Sequence, residues 1–208
     1  TVPGDTNGDG TADTAPVVTI PEATDGVNAK ELEDGVQTNV TLPTGTQAGD
    51  IVTLTVTNPD NSTSTVTHTV TEAEVTAGSA EVTIPKAQVP TDGQYSVVAD
   101  IKDATGNSSL PSTPVTFNVD KTVPGDTDGD GTADTAPVVT IPEATDGVNA
   151  KELEDGVQTN VTLPTGTQAG DTVTLTVTNP DGSTSTVTHT VTDAEVTAGS
   201  ADVTIPKA

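Results

Sequence analysis

Apolar side chains alternate with threonine, serine and asparagine along most of the chain, as in Val-Thr-Leu-Thr-Val-Thr at 52–57. Alternation with a period of two, rich in β-branched residues, predicts strands that are buried on one face only. Seven such strands are predicted in the first 121 residues, at 17–20, 36–42, 52–57, 64–70, 81–84, 95–101 and 115–119. Gly, Pro, Asn and Asp separate the strands as turns. Only 28–33 and 72–75 favour helix, for a single turn each.

About seven short strands in about 105 residues are typical of an immunoglobulin-like β-sandwich, so the predicted fold class is all-β. Asp92, Gly93 and Gln94 lead into Tyr95 at the start of the sixth predicted strand. Such a fold often carries a tyrosine there, whose hydroxyl bonds the backbone a few residues upstream. We expect Tyr95 to form this tyrosine corner, with a plain core position as the alternative.

The chain contains a long internal repeat, because residues 1–87 recur as 122–208 with five substitutions. These are Asn7/Asp128, Ile51/Thr172, Asn61/Gly182, Glu72/Asp193 and Glu81/Asp202. Such similarity predicts a tandem array. We expect an Asp-rich linker at 1–16, a sandwich at 17–121, a second linker at 122–137, and a second sandwich at 138–208 that is truncated by its last two strands. The chain begins at Thr1 without a Met or signal segment, so we expect it to be a piece of a longer protein.

Acidic residues dominate the charge, with 31 Asp and Glu against 6 Lys and Arg and a net charge of −25. So negative a surface gains nothing from counterion release, which argues against nucleic acid and anionic membranes as partners. No apolar run approaches the roughly 20 residues that cross a bilayer. Cysteine is absent, which excludes disulfides and thiolate chemistry. The predicted core is thin because it consists mainly of small aliphatic residues, so burial alone is expected to give the fold little stability. A cation that binds only the folded state would increase that stability.

The most specific motif is residues 126–134, which read Asp-Thr-Asp-Gly-Asp-Gly-Thr-Ala-Asp. Carboxylates at positions 1, 3, 5 and 9, a glycine at 6 and a backbone carbonyl at 7 match the front of an EF-hand calcium loop. The candidate ligands are Asp126, Asp128, Asp130, Thr132 and Asp134, and in the first copy Asp5, Asn7, Asp9, Thr11 and Asp13. Hard oxygen ligands at about 2.3–2.6 Å are those that Ca²⁺ prefers. The alternative is a solvated Asp/Gly linker.

The loop departs from an EF-hand at position 12, where Pro16 or Pro137 replaces the bidentate glutamate. No helices are predicted on either side of it. The loop alone is therefore expected to bind calcium weakly, in the range of about 10⁻⁴–10⁻³ M that is found in extracellular modules, unless another segment completes the site.

A second acidic cluster follows the first strand of each copy. Its members are Glu22, Asp25, Asn28 and Glu31, repeated as Glu143, Asp146, Asn149 and Glu152. Loops at one end of a sandwich meet the next domain, so we expect a calcium site at the junction that draws on Asp103, Asp120 and Glu143. Ordinary surface acids are the alternative for each residue.

Several short motifs together resemble a known family. They include Asp-Gly-Val-Asn-Ala at 25–29, Ala-Gly-Asp-Ile-Val-Thr-Leu at 48–54, Asp-Gly-Gln-Tyr at 92–95, Asp-Ala-Thr-Gly-Asn at 103–107 and Phe-Asn-Val-Asp at 117–120. The repeat bodies resemble bacterial Ig-like repeats in the extender regions of giant biofilm-associated and RTX-type surface adhesins. The Asp-rich linker is similar to thrombospondin type 3 loops, and is longer and more acidic than the joints common in the adhesin family.

The resemblance implies a protein secreted to a bacterial cell surface, with calcium-stiffened domain junctions and a spacer role in cell adhesion and biofilm formation. The expected partners are calcium ions and neighbouring repeats. The alternative function is cell–cell cohesion, in which like repeats on other cells associate through calcium or strand edges.

An enzymatic function is the third alternative for this chain. His68 and His189 lie in Thr-rich strands with no obvious partner nearby in the sequence. No apolar or aromatic wall is available to form a pocket that raises a carboxyl pKa. We therefore expect no enzyme and an exposed, unpaired histidine.

Overall fold

The computed structural model describes residues 1–145 and 147–207 of the chain. The chain divides into two compact units, Thr1–Lys121 and Thr122–Ala208. Each unit is described by itself.

Unit 1 is built almost entirely from strands, because its apolar residues follow the period of a strand. The strands are β1 (Val17–Thr19), β2 (Val27–Asn28), β3 (Val36–Thr41), β4 (Ile51–Thr57), β5 (Thr63–Thr69), β6 (Ser79–Ile84), β7 (Gly93–Lys102) and β8 (Val115–Asp120). The seven predicted strands are thus confirmed, and the two-residue β2 is the one that the pattern did not predict. One α-helix, α1 (Glu72–Ala77), occurs where a helical turn was predicted, and short 3-10 turns lie at Pro21–Ala23, Glu31–Glu33 and Lys86–Gln88.

Two sheets face each other in unit 1. One has the order β1-β3-β6, and the other has the order β2-β8-β7-β4-β5. All neighbours are antiparallel except β2, which pairs parallel with β8 so that Asn28 lies opposite Asp120. Two mostly antiparallel sheets of this size define an immunoglobulin-like sandwich, and the predicted fold class is confirmed.

The core of unit 1 lies between the two sheets, where alternate residues of each strand point inward. Val52, Leu54 and Val56 of β4 are fully buried, while the threonines between them point outward and are only partly covered. Tyr95 and Phe117, the only aromatic residues of the chain, stack at the centre with ring centroids 5.4 Å apart. Most of the core is aliphatic, as the sequence predicted.

Tyr95 forms the predicted tyrosine corner. Its hydroxyl donates to the carbonyl oxygen of Thr91 at 2.7 Å and accepts from the Thr91 amide at 3.1 Å. The two bonds fix the chain that enters β7, while the ring stays buried.

Unit 2 repeats the first part of this arrangement. Its elements are β9 (Val138–Thr140), β10 (Val157–Thr162), β11 (Thr172–Thr178), β12 (Thr184–Thr190), α2 (Asp193–Ala198) and β13 (Ser200–Ile205), with 3-10 turns at Pro142–Thr145 and Glu152–Glu154. The strands form a sheet of order β13-β10-β9 and a two-stranded sheet of β11 and β12. Residues 122–208 match residues 1–87 of the repeat, so the segment 88–121, which holds β7 and β8 in unit 1, has no counterpart among them.

Candidate metal-binding loops

The Asp-rich segment of unit 2 is a loop closed at its neck by backbone hydrogen bonds. The carbonyl oxygen of Gly125 accepts from the amides of Asp134 at 2.8 Å and Thr135 at 3.0 Å. The amide of Gly125 donates to the carbonyl oxygen of Thr165 at 2.7 Å, in the turn before β11. The loop is therefore closed on itself and fastened to the sandwich of its own unit.

Glycine is required at this neck for two reasons. Gly125 has a φ of +92°, and a Cβ at this position would lie 2.2 Å from the carbonyl oxygen of Thr135. Gly131, the predicted turn at position 6, also has a positive φ, of +87°. Side chains other than glycine rarely adopt this conformation.

Three carboxylates meet inside the loop of unit 2. Ligand oxygens of Asp126, Asp128 and Asp130 lie within 4.8 Å of one another. This is the alternation that the motif predicted, since side chains at positions 1, 3 and 5 turn toward one point. Carboxylate oxygens gathered in this way fit a hard divalent cation such as Ca²⁺.

Backbone amides hold these carboxylates in place. Asp126 accepts from the amides of Gly129 at 2.6 Å and Gly131 at 2.8 Å, and Asp128 accepts from that of Asp130 at 3.1 Å. Asp130 accepts from the amide of Thr132 at 2.8 Å and from the hydroxyl of the same residue. The acids are thus oriented by the loop itself.

Asp134, predicted at position 9, makes a different contact. Its carboxylate accepts from the hydroxyl of Thr127 at 2.6 Å and the amide of Thr127 at 2.9 Å, and so ties the two ends of the loop together. Asp134 stands outside the group of three that meets within 4.8 Å.

Unit 1 carries the same loop with one amide in place of a carboxylate. Asp5 accepts from the amides of Gly8 at 2.6 Å and Gly10 at 3.0 Å, and the Asn7 side-chain oxygen accepts from that of Asp9 at 2.8 Å. Asp9 accepts from Thr11, and Asp13 from Thr6, as their counterparts do in unit 2. The neck is again a glycine, since a Cβ on Gly4 would lie 2.3 Å from the carbonyl oxygen of Thr14.

These hydrogen bonds lower the pKa values of the loop acids. The amide of Gly131, followed by that of Gly129, lowers the pKa of Asp126, and the hydroxyl of Thr127 lowers that of Asp134. In unit 1, the hydroxyl of Thr11 lowers the pKa of Asp9. The donors stabilise the ionised form, which is also the form that binds a cation.

The second acidic cluster of unit 1 gathers around the end of β8. Asp25, Asn28, Glu31 and Asp120 line one pocket, because the parallel pairing of β2 with β8 brings Asp120 beside Asn28. The side-chain oxygen of Asn28 accepts from the amides of Lys30 and Glu31 and so organises the turn. Sequence reasoning did not place Asp120 here, because a two-residue strand leaves no periodic pattern.

The remaining predicted acids are described here within their own units. Asp103 accepts from the side-chain amide of Asn107 at 2.8 Å, which lowers its pKa well below the usual range. Glu22 has one fully buried oxygen without a hydrogen-bond partner. Glu143 of unit 2 accepts from the amide of Gln158 at 3.2 Å. The junction site stays a prediction, and Asp146, named with the cluster, lies outside the described residues.

The expectation of an unpaired, exposed histidine is wrong. The Nε2 atom of His68 lies 2.8 Å from Oε1 of Glu74, and both side chains are half-buried. Glu74 also accepts from the amide and hydroxyl of Thr71 in a capping box at the start of α1. His189 pairs with Glu195 in the same way. Sequence reasoning missed the pair because Glu74 lies six residues after His68, and only the turn into α1 places the two side chains next to each other.

Among the described residues, no helix is both long enough and apolar enough to cross a membrane. No family model matches the sequence, and the curated proteins contain no match.

Solved structures of bacterial adhesins resemble this chain. A tetra-tandem repeat from the extending region of a large adhesion protein is 18% identical over 93% of this chain and 41% of its own, with a TM-score of 0.39. A Ca²⁺-stabilised adhesin with which an Antarctic bacterium binds ice is 24% identical over 93% and 41%, with a TM-score of 0.38. A bacterial immunoglobulin-like domain of the M. primoryensis ice-binding adhesin is 22% identical over 51% of this chain and 96% of its own, with a TM-score of 0.31.

The chain thus spans less than half the length of the first of these structures. The neighbours are tandem repeats and an Ig-like domain of large adhesins. The class that the chain's own strands define is a tandem immunoglobulin-like β-sandwich protein.

Proposed function

We propose that this chain is part of a structural spacer in a bacterial cell-surface adhesin, and that calcium bound in its Asp-rich loops stiffens the array of repeats. The observation that carries the proposal is the convergence of Asp126, Asp128 and Asp130 within 4.8 Å, in a loop fastened at its neck to the sandwich. An ion held there would connect the acidic segment to the folded unit.

Calcium would supply positive charge where the chain most lacks it. The net charge is −25, and the loops place several carboxylates within a few residues of each other. The residues that would hold the ion are Asp126, Asp128 and Asp130 in unit 2, with Asp5, Asn7 and Asp9 in unit 1. Binding to the folded state alone would raise stability by about 2.7 kcal/mol at a calcium concentration 100 times the dissociation constant.

The spacer role follows from the repeated architecture. In a tandem array each repeat contacts only its neighbours, so the stiffness depends on the segments between sandwiches. Fixing those segments with an ion would extend the array away from the cell. A junction site that includes Asp103, Asp120 and Glu143 belongs to the same proposal, as do extracellular location and a role in biofilm formation.

Calorimetric titration of the 208-residue protein with calcium tests the loop directly. Asp128→Ala is expected to remove or weaken one binding event. Asp181→Ala is the matched control. Asp181 is also a turn aspartate, and its carboxylate accepts a hydrogen bond from the amide of Ser183. It does not belong to the group of three carboxylates that meets in the loop. Equal titrations of the two variants would contradict a calcium site in this loop.

Small-angle scattering with calcium and with chelator tests the stiffening. We expect a larger maximum dimension with calcium in the native protein and no change in Asp128→Ala. An unchanged dimension in the native protein would refute stiffening even if calcium binds.

Cohesion between like repeats is the second candidate, and the exposed position of β5 at the sheet edge favours it. Unpaired strand edges can pair with another chain. Calcium-dependent dimers in analytical ultracentrifugation would support this function, and a monomer at high concentration would count against it.

A further inference from the structure

Asn7 differs from every other asparagine of the chain in the residue that follows it. The chain contains ten asparagines, and only Asn7 is followed by glycine. The side-chain carbonyl carbon of an asparagine can be attacked by the backbone nitrogen of the next residue, and a Cβ on that next residue hinders the attack. Gly8 has no Cβ. Asn7 is therefore the asparagine of this chain that is most open to reaction with its own backbone.

The two groups that would react lie at the surface of the loop in unit 1. Asn7 and Gly8 are both exposed. Among the described residues outside the chain neighbours of Gly8, nothing lies within 4 Å of the point where a Cβ on Gly8 would stand. Water therefore reaches both the side-chain amide and the backbone nitrogen.

The loop provides a hydrogen-bond acceptor for each of the two nitrogen atoms involved. The amide of Gly8, which would be the nucleophile, donates to Oδ1 of Asp5 at 2.6 Å. The side-chain nitrogen of Asn7, which would leave, donates to Oδ1 of Asp13 at 3.3 Å. A general base must lie within about 2.6–3.2 Å of the group whose proton it takes. Asp5 meets this requirement for the Gly8 amide.

The second copy of the repeat shows that an aspartate fits at this place in the loop. Asp128 is the counterpart of Asn7, and its side-chain oxygen accepts from the amide of Asp130 at 3.1 Å. The side-chain oxygen of Asn7 accepts from the amide of Asp9 in the same way, at 2.8 Å. A carboxylate in place of the Asn7 amide therefore keeps the bond that orients the side chain.

We propose that Asn7 is a self-modifying site, at which the asparagine is converted into aspartate by reaction with the Gly8 amide and water. In the first step a bond forms between the nitrogen of Gly8 and Cγ of Asn7, and the bond from Cγ to Nδ2 breaks. The proton of Gly8 passes through the Asp5 carboxylate to the departing nitrogen, which leaves as ammonia. The product of this step is a cyclic succinimide.

Water completes the conversion. It adds to Cγ of the ring, the bond from Cγ to the nitrogen of Gly8 breaks, and that nitrogen regains its proton. The side chain is left as a carboxylate, so the net reaction consumes one water molecule and releases one ammonium ion.

The conversion would give the loop of unit 1 the same number of converging carboxylates as the loop of unit 2. The new carboxylate would stand between Asp5 and Asp9, as Asp128 stands in the group of three whose oxygens lie within 4.8 Å of one another. The calcium affinity of such loops depends on the number of charged ligands. This gain in affinity rests on the calcium site proposed above, whereas the conversion itself does not.

The test follows the 208-residue protein during incubation in warm, mildly alkaline buffer. Mass spectrometry of the tryptic fragments 1–30 and 103–121 reports on Asn7 and Asn107 in one sample. We expect the mass increase of an amide-to-acid conversion at Asn7. We also expect a new cleavage site there for a protease that cuts before aspartate and not before isoaspartate.

Asn107 is the matched control within the same chain. It is also exposed, and its side-chain nitrogen also donates to an aspartate, Asp103, at 2.8 Å. The residue that follows it is Ser108, which has a Cβ. We expect Asn107 to keep its amide over the period in which Asn7 loses it.

Gly8→Ala tests whether the Gly8 nitrogen is the nucleophile. The new Cβ would stand beside that nitrogen without meeting another part of the loop, and the variant is expected to retain the amide of Asn7 over the same period. Conversion of Asn7 no faster than that of Asn107 overturns the proposal. Equal rates in Gly8→Ala and the native protein, or isoaspartate as the only product, overturn it as well.

Calorimetric titration of Asn7→Asp separates the modification from its consequence. The variant is expected to bind calcium in the loop of unit 1 at least about tenfold more tightly than freshly prepared native protein, and the incubated native protein is expected to approach the variant. Conversion of Asn7 in a protein that binds no calcium would support the modification site and contradict the proposed function.

Discussion

The neck of the Asp-rich loop gives the sharpest prediction, because two glycines of the same loop differ only in their surroundings. Gly125 and Gly129 have φ values of +92° and +79°. A Cβ on Gly125 would meet the carbonyl oxygen of Thr135 at 2.2 Å, whereas a Cβ on Gly129 would have nothing within 4 Å. Gly125→Ala should therefore open the loop, and Gly129→Ala should not.

The expected magnitude follows from the contacts. Alanine costs about 1–2 kcal/mol at a positive φ in both variants. Only Gly125→Ala also breaks the three backbone bonds of the neck, to Asp134, Thr135 and Thr165. At about 1 kcal/mol for each bond, the two variants should differ by about 3 kcal/mol in the free energy of loop opening. This difference corresponds to a factor of about 150.

Hydrogen exchange measures this opening directly. The amides of Asp134 and Thr135 donate to Gly125, so their exchange should accelerate by about 150-fold in Gly125→Ala relative to Gly129→Ala. Calcium titration is expected to show a weaker loop site in the same variant. Equal exchange rates in the two variants would show that the neck does not hold the loop closed, and the reasoning would be wrong.

Three further predictions concern the sandwiches. Tyr95→Phe should lower the free energy of unfolding of unit 1 by about 1–3 kcal/mol, measured by urea denaturation followed by circular dichroism, because it removes the hydroxyl of the tyrosine corner and keeps the stacked ring. Leu54→Ala should cost about 2–5 kcal/mol, because the Leu54 side chain is fully buried between the two sheets of unit 1. Hydrogen bonds from His189 and the helix cap lower the pKa of Glu195 to about 2, from 4.5. The stability that this carboxylate contributes should be present above pH 4.5 and lost as the pH falls through about 2. Glu195→Gln should therefore destabilise the protein above pH 4.5, and the difference should shrink as the pH falls toward 2.

For each of these three predictions, one experimental result would contradict the reasoning. A Tyr95→Phe protein as stable as the native one would show that the corner is not a net stabilising contact. A loss of less than about 1 kcal/mol for Leu54→Ala would contradict the tight burial of this side chain. A Glu195→Gln variant whose stability difference stays constant down to pH 2 would contradict a lowered pKa.

The strands of unit 1 were predictable because their side chains alternate between buried and exposed. β4 is the clearest case, since Val52, Leu54 and Val56 alternate with threonines. β2 could not be predicted in this way, because two residues have no period and pair only through the neighbouring β8. The same short pairing places Asp120 beside Asn28, a contact between residues far apart in the sequence.

The Asp-rich loop was predictable in its spacing and in its turn. The alternation of Asp126, Asp128 and Asp130 is local, so the chain itself brings their oxygens together. The contact of Asp134 could not be predicted from the motif, because its hydrogen bond with Thr127 depends on how the two ends of the loop meet. His68 was misjudged for a similar reason, since its partner Glu74 reaches it only through the turn into α1.

The sequence by itself determined the all-β class, the repeat and the acidic turn, because each is a pattern among residues that are close along the chain. Tertiary structure decided how the loop neck fastens to the turn before β11 and which acids share a pocket. The physical reason is that burial and strand pairing depend on contacts between segments that lie far apart in the sequence.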